Sequence, residues 1–170
     1  GNRTDGLYFG GVAVDEQAPG WPLLAPVGTV YRYANNDTLL ATMAAAPTFT
    51  AHPPAELFDA LGMTHTWAET DWRGNYILSS QVWTTARDLA RFGQLYLQDG
   101  VWEGRRLLPQ GWRDYVAAPT GPQPPTGDFG YGATFWLMNR SDGIPADTIA
   151  AQGNRGQYVV IVPSRRIVVV

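Results

Sequence analysis

The sequence has no cysteine and no lysine, and only two histidines, His52 and His65. Without cysteine there are no disulfides and no thiolate metal sites, and the redox compartment is left open. All twelve basic residues are arginine. That bias fits a GC-rich bacterial genome, with the cytoplasm and periplasm both open as compartments. Its chemical consequence is firmer: no lysine in these residues can serve as a base, a Schiff-base former or a phosphate anchor. No apolar run approaches the ~20 residues of a membrane-spanning helix. A net charge of -3 gives no electrostatic reason to expect nucleic acid or an anionic membrane as partner. The sequence does not specify an oligomeric state.

What is present is a globular composition of 170 residues, with seven Trp and eight Tyr, enough to build a sizeable core. The spacing of apolar residues predicts a short strand in "LYFGGVAV" and a helix over "DTLLATMAAA", with Asn36 or Asp37 as cap and Pro47 as its end. A second helix is predicted over "PAELFDALGM", closed by Gly62. The clearest helix is "TTARDLARFGQLYLQDG", where Thr85 and Asp88 have capping-box spacing and Leu89, Phe92, Leu95 and Tyr96 share one face. "VWEGRRLL" reads as a hairpin, and "PQGWRDYVAA" as a helix with Pro109 in its first turn. Residues 119–130 read as a surface loop able to lie over a site. "YGATFWLM" alternates like a strand, and "QYVVIVP" and "RIVVV" read as adjacent antiparallel strands joined through "PSRR". A helix-rich middle and a strand-rich end predict an α/β or α+β fold.

Several chemistries can be set aside. Ser79, Ser80, Ser141 and Ser164 lie in no G-x-S-x-G elbow, and neither histidine stands in a fixed relation to any of them. His52 and His65 read more simply as loop or surface residues. No His/Asp/Glu cluster has ligand spacing, so no metal is expected. The glycines of "GNRGQ" do not form a phosphate loop or a dinucleotide fingerprint. Asn2, Asn36 and Asn139 begin N-x-Ser/Thr triplets, which matter only in a secreted eukaryotic setting. Trp21, Trp72 and Trp136 are candidates for lining a pocket, although ordinary core or rim positions account for them more simply. Asp88 is explained by helix capping. Arg155 reads either as a substrate-carboxylate ligand or as a solvated arginine at a strand end.

One segment, Tyr33-Ala34-Asn35, gains meaning from its surroundings. "APVGTVYRYANNDTLLA", "LFDALGM", "SSQVWTTARDLARFGQLYLQDG" with "RRLLP", "GYG" and "GNRGQYVVIVPSRRIVVV" occur in that order. Together they resemble the beta-lactamase-related serine hydrolases: class C beta-lactamases, penicillin-binding DD-peptidases and family VIII-type esterases. "ETDWRGNYILSSQVWTTARDLARFG" and "GNRGQYVVIVPSR" are most similar to the 6-aminohexanoate-dimer hydrolase-like branch. The resemblance implies an antiparallel sheet flanked by helices with a helical subregion. It also implies hydrolysis of a small-molecule ester or amide through an acyl-enzyme, with no cofactor. A Ser-x-x-Lys serine would be the nucleophile, and a tyrosine would share proton transfer with the lysine. Tyr33 matches that tyrosine. Asn35 matches the residue expected to hydrogen-bond the lysine and the substrate.

The third family motif, Lys-Thr-Gly or a variant on a strand edge, has its counterpart within Ala150 to Gln157. The candidate substrate-binding and oxyanion residues there are Gln152, Gly153, Asn154, Arg155, Gly156 and Gln157, with the register left open.

The departures are as informative. Without lysine, Ser-x-x-Lys cannot occur here, and the resemblance places it N-terminal to Tyr33. Val170 also falls within an apolar run. Residues 1–170 are therefore expected to be the C-terminal part of one beta-lactamase-like domain. The N-terminal strands, nucleophile helix and C-terminal helix would lie elsewhere, and the chain alone would be inactive. The missing Lys or His in the third motif weakens the case for penicillin or D-Ala-D-Ala substrates. A beta-lactamase, a DD-peptidase and a non-catalytic binding homologue with a degenerate site stand as alternatives.

Overall fold

The computed structural model describes residues 5–170; the Asn2 triplet lies outside them. The chain divides into two compact units, one comprising residues up to Pro26 with Arg32–Thr85, the other Val27–Tyr31 with Ala86–Val170.

The first unit is built from short helices. α1 (Asp5–Phe9) and α2 (Val14–Gln17) occupy the stretch "LYFGGVAV" and its continuation, where the sequence predicts a strand. Gly11, at φ +70°, separates the two helical turns, and Leu7 and Val14 are buried. The apolar run is too broken by glycine to hold an extended ladder, and burying one residue per helical turn uses it better. α3 (Asn35–Ala45) follows, passing into a 3₁₀ turn over Ala46–Thr48. Its N-cap is Ala34, in extended conformation, and not Asn36 or Asp37. Asn36 is half-buried instead, its side chain donating to the carbonyl of Ala18.

α4 (Pro54–Ala60) ends at Gly62, φ +66°, with the Met63 N–H on the Phe58 carbonyl. That left-handed residue terminates the helix as the sequence predicts. β1 (Trp67–Ala68) and β2 (Val82–Trp83) form a two-stranded antiparallel sheet. The core of this unit is Leu7, Val14, Ala18, Leu39 and Ile77.

In the second unit α5 (Ala86–Leu97) is followed by the hairpin of β3 (Val101–Trp102) and β4 (Arg105–Arg106). α6 (Trp112–Ala117) begins after Gly111, whose φ of +77° sets its N-cap; Pro109 therefore precedes the helix instead of occupying its first turn. Five antiparallel strands then pair in sequence order: β5 (Gly130–Tyr131), β6 (Trp136–Leu137), β7 (Ile149–Gly153), β8 (Gln157–Val162) and β9 (Ile167–Val169).

"YGATFWLM" is not one strand: Tyr131 pairs with Trp136 across a turn in which Thr134 takes φ +67°. The predicted pairing of "QYVVIVP" with "RIVVV" holds, with Val160 opposite Val169 and Val162 opposite Ile167.

Leu137, Ile149, Val159 and Ile161 fill the core with Val116 and Phe135, and Leu89, Phe92 and Tyr96 of α5 pack against them. Gly93 lets α5 lie directly on the sheet. A Cβ there would fall 2.5 Å from Cγ1 of Val168 and 3.0 Å from Cγ1 of Val159. The predicted loop, residues 119–130, holds no regular element before Gly130. Gln123 anchors it, exchanging 2.8 and 2.9 Å bonds with the backbone of Tyr131.

Candidate active site

Tyr33 and Asn35 belong to the first unit, and Gln152–Gln157 to the second. Tyr33 is half exposed, on the extended segment just before α3. Asn35 opens the helix, and its side chain turns back to donate a 3.0 Å hydrogen bond to the Tyr8 hydroxyl of α1. The Tyr8 hydroxyl in turn lies 2.8 Å from Oγ of Ser79. All three side chains are half-buried. They form a polar chain from α3 through α1 to the loop before β2, joining residues 27 and 71 positions apart.

The sequence gives little signal for Tyr8 or Ser79. Tyr8 lies in the stretch that reads as a strand, and no motif of the sequence includes Ser79 in a reactive role. Tyr8 also lines a cavity of about 250 Å³, with Phe9, Glu69, Asp71 and Trp72 among its walls. Asp71 is firmly anionic. Burial raises its carboxyl pKa, but the Asn75 side chain and the N–H groups of Val14, Asn75 and Arg73 more than offset this, so it sits below the ordinary carboxylate range. Trp72 is mostly exposed and Trp21 partly so, whereas Trp136 of β6 is half-buried.

In the second unit, Gln152 and Gly153 end β7 and Gln157 opens β8, while Asn154, Arg155 and Gly156 make the turn between them. Arg155 and Gly156 adopt φ +62° and +82°, and all three turn residues are exposed. β6 pairs with β7 only at Ile149 and Ala150, so Ala151–Gly153 run past its end. The Met138 N–H donates to the Thr148 carbonyl. Antiparallel alternation therefore turns the N–H and C=O of Gln152 to the same side as those of Thr148 and Ala150, beyond the last paired residue of β6.

The remaining candidates have ordinary surroundings. His52 bonds Glu56 at 2.9 Å and His65 lies 3.0 Å from the Thr64 hydroxyl, both exposed. Asp88 is buried and accepts a 2.7 Å bond from Arg91. Among the described residues no group of three or more His, Asp or Glu is arranged to hold a metal ion.

The family model for beta-lactamases matches residues 5–170. The chain belongs to the beta-lactamase family. Members of this family of serine hydrolases share its fold of mixed helices and antiparallel sheet. One solved structure similar to this beta-lactamase-family chain is a protein from Bacillus anthracis, provisionally described as a 6-aminohexanoate-dimer hydrolase. It matches with TM-score 0.72 and 26% identity over 91% of this chain. A second, from Bacteroides dorei DSM 17855 and provisionally described as a beta-lactamase, matches with TM-score 0.69 and 19% identity over 92% of this chain, a likeness of fold. The chain spans 41% and 54% of their lengths. None of the curated proteins compared matches it.

Proposed function

We propose that these residues are part of a serine hydrolase that cleaves an ester or amide through an acyl-enzyme, as an esterase or a 6-aminohexanoate-dimer hydrolase-like amidase. Tyr33 is its general acid/base and Asn35 its polar partner. The observation that carries this reading is the family match over residues 5–170 together with the position of Tyr33-Ala34-Asn35 at the mouth of α3. A serine hydroxyl is a weak nucleophile at neutral pH, so a base must take its proton. With no lysine in the sequence, this reading draws its Ser-x-x-Lys pair from polypeptide outside these residues.

Within the third-motif candidates, the strand register favours Gln152. Its backbone N–H is directed to the uncovered side of β7, where a preorganised donor can stabilise an oxyanion.

The test is hydrolysis of p-nitrophenyl esters and of linear 6-aminohexanoate amides by the full-length protein. Tyr33→Phe is expected to lower kcat/KM by about 100- to 10,000-fold, the usual weight of a positioned acid/base. Full activity in Tyr33→Phe would refute the assignment. Acylation by a labelled penicillin would move the reading toward a beta-lactamase or DD-peptidase. No turnover of any ester, amide or penicillin would favour a binding homologue. The 170-residue chain alone is expected to turn over none of these substrates.

A further inference from the structure

We propose that Tyr8 is a positioning residue that fixes the amide of Asn35, with Ser79 as its anchor. This inference rests on the reading of Asn35 given above and deepens it. The amide group of Asn35 can turn either its oxygen or its nitrogen toward the reacting centre, and the two faces have opposite hydrogen-bonding character. Its Nδ2 donates to the Tyr8 hydroxyl at 3.0 Å. That contact commits the nitrogen to α1 and leaves Oδ1 as the face presented to a partner. An oxygen acceptor suits a lysine ammonium or the N–H of an amide substrate; a flipped amide would present a donor and repel both.

A tyrosine hydroxyl both donates and accepts, so Tyr8 needs its own orientation set. Oγ of Ser79 lies 2.8 Å away, within reach as the partner of the Tyr8 proton, although either hydroxyl can be the donor of that bond. When Tyr8 accepts from Asn35, its proton is available to Ser79, and the three side chains are linked in a half-buried setting. Such a chain rigidifies a side chain more than any single bond in it. The bonds also tie the residue that opens α3 to a separate helix and to a loop distant in sequence, so they hold Asn35 by tertiary structure. Tyr8 touches no reacting atom in this scheme and acts through Asn35.

The test is a double-mutant cycle in the full-length enzyme, assayed on the best ester or amide found above. Tyr8→Phe keeps the ring and removes the hydroxyl; it is expected to lower kcat/KM about tenfold, the weight of one hydrogen bond. In an Asn35→Ala background the same change is expected to cost less than twofold, because the group it positions is gone. Ser79→Ala should lose two- to threefold by loosening Tyr8, and Ser79→Thr, which restores a hydroxyl, should recover it.

Unchanged kcat/KM in Tyr8→Phe overturns the proposal, as does an undiminished tenfold loss in the Asn35→Ala background. The contact is also read without activity: NMR of the Asn35 side-chain amide protons should show a shift in Tyr8→Phe, and unmoved resonances overturn the proposal. Failure of the underlying reading looks different, since Tyr33→Phe would then retain the activity of the parent.

Discussion

The two units of this chain are held together by different physics. The second is a five-stranded antiparallel sheet with a helix laid on one face. Its main core cluster is apolar: Leu137, Ile149, Val159 and Ile161 from the strands, Val116 and Phe135 beside them, with Asp88 and Thr148 the buried polar residues of the same unit. The first has a small apolar core and polar side chains that reach across the sequence to backbone groups and to one another. Asn36 serves the Ala18 carbonyl, Tyr8 joins Asn35 to Ser79, and Asp71 serves Val14. Sheet ladders satisfy backbone groups by pairing strands, whereas four- and five-residue helices leave many termini to be satisfied by something else. The catalytic candidates of this family fold, Tyr33 and Asn35, lie in the unit built the second way.

That contrast makes a ranking of mutational effects. The largest loss of stability is expected for Ile161→Ala, where a fully buried strand residue leaves a cavity that the sheet cannot collapse to fill. The cost should be about 2–5 kcal/mol, read as a lowered urea midpoint by tryptophan fluorescence. A loss under about 1 kcal/mol would mean that the sheet core is not the stabilising element. Gly93→Ala comes next, at about 1–3 kcal/mol, because the added methyl meets Val168 and Val159. Unchanged stability there would show that α5 can lift from the sheet at little cost.

These differences in construction also explain how far the sequence could be read. "QYVVIVP" and "RIVVV" carry runs of β-branched residues, and their strands and pairing were predictable from that alone. The α5 stripe of Leu89, Phe92, Leu95 and Tyr96 was equally plain, since helical periodicity is a local property. "LYFGGVAV" misleads because its apolar residues suit a strand as well as a helix and two glycines interrupt it, and only tertiary burial of Leu7 and Val14 decides for helical turns. "YGATFWLM" misled because a left-handed Thr134 is not a residue that announces a turn. At the candidate site, Tyr33 and Asn35 are singled out by their place in an ordered set of motifs. Tyr8 and Ser79 are not, because a hydrogen bond spanning 71 residues leaves no mark on local sequence.

The sharpest probe of the first unit is Asp71. α2 has Ala13 at its N-cap, a residue with no side-chain acceptor, and the Val14 N–H is taken instead by Asp71 Oδ2 at 2.7 Å. The same carboxylate accepts from the N–H groups of Arg73 and Asn75, both at 2.9 Å, and from the Asn75 side chain at 3.0 Å. One side chain thus caps a helix 57 residues away and closes its own turn. Asp71→Ala is expected to cost about 1–2 kcal/mol, a discounted value because the group is only half-buried. A loss equal to that of Ile161→Ala would break the ranking, by showing the polar unit to be as dependent on one residue as the apolar one.

The smallest expected effect is the pH dependence of that contribution. The carboxyl of Asp71 is held below its ordinary value of 3.8, so the folded state binds its proton less readily than the unfolded state does. The stabilisation is therefore fully present above the unfolded value and is lost as pH falls through the lowered folded value. Urea midpoints of the wild type and Asp71→Asn, compared at pH 6 and again below pH 3, should show a gap that narrows on acidification. The neutral amide still accepts hydrogen bonds through its oxygen, so what closes is the part due to charge. A gap that stays constant with pH would assign the role of Asp71 to shape and hydrogen bonding alone. A gap that widens in acid would contradict the direction of its pKa.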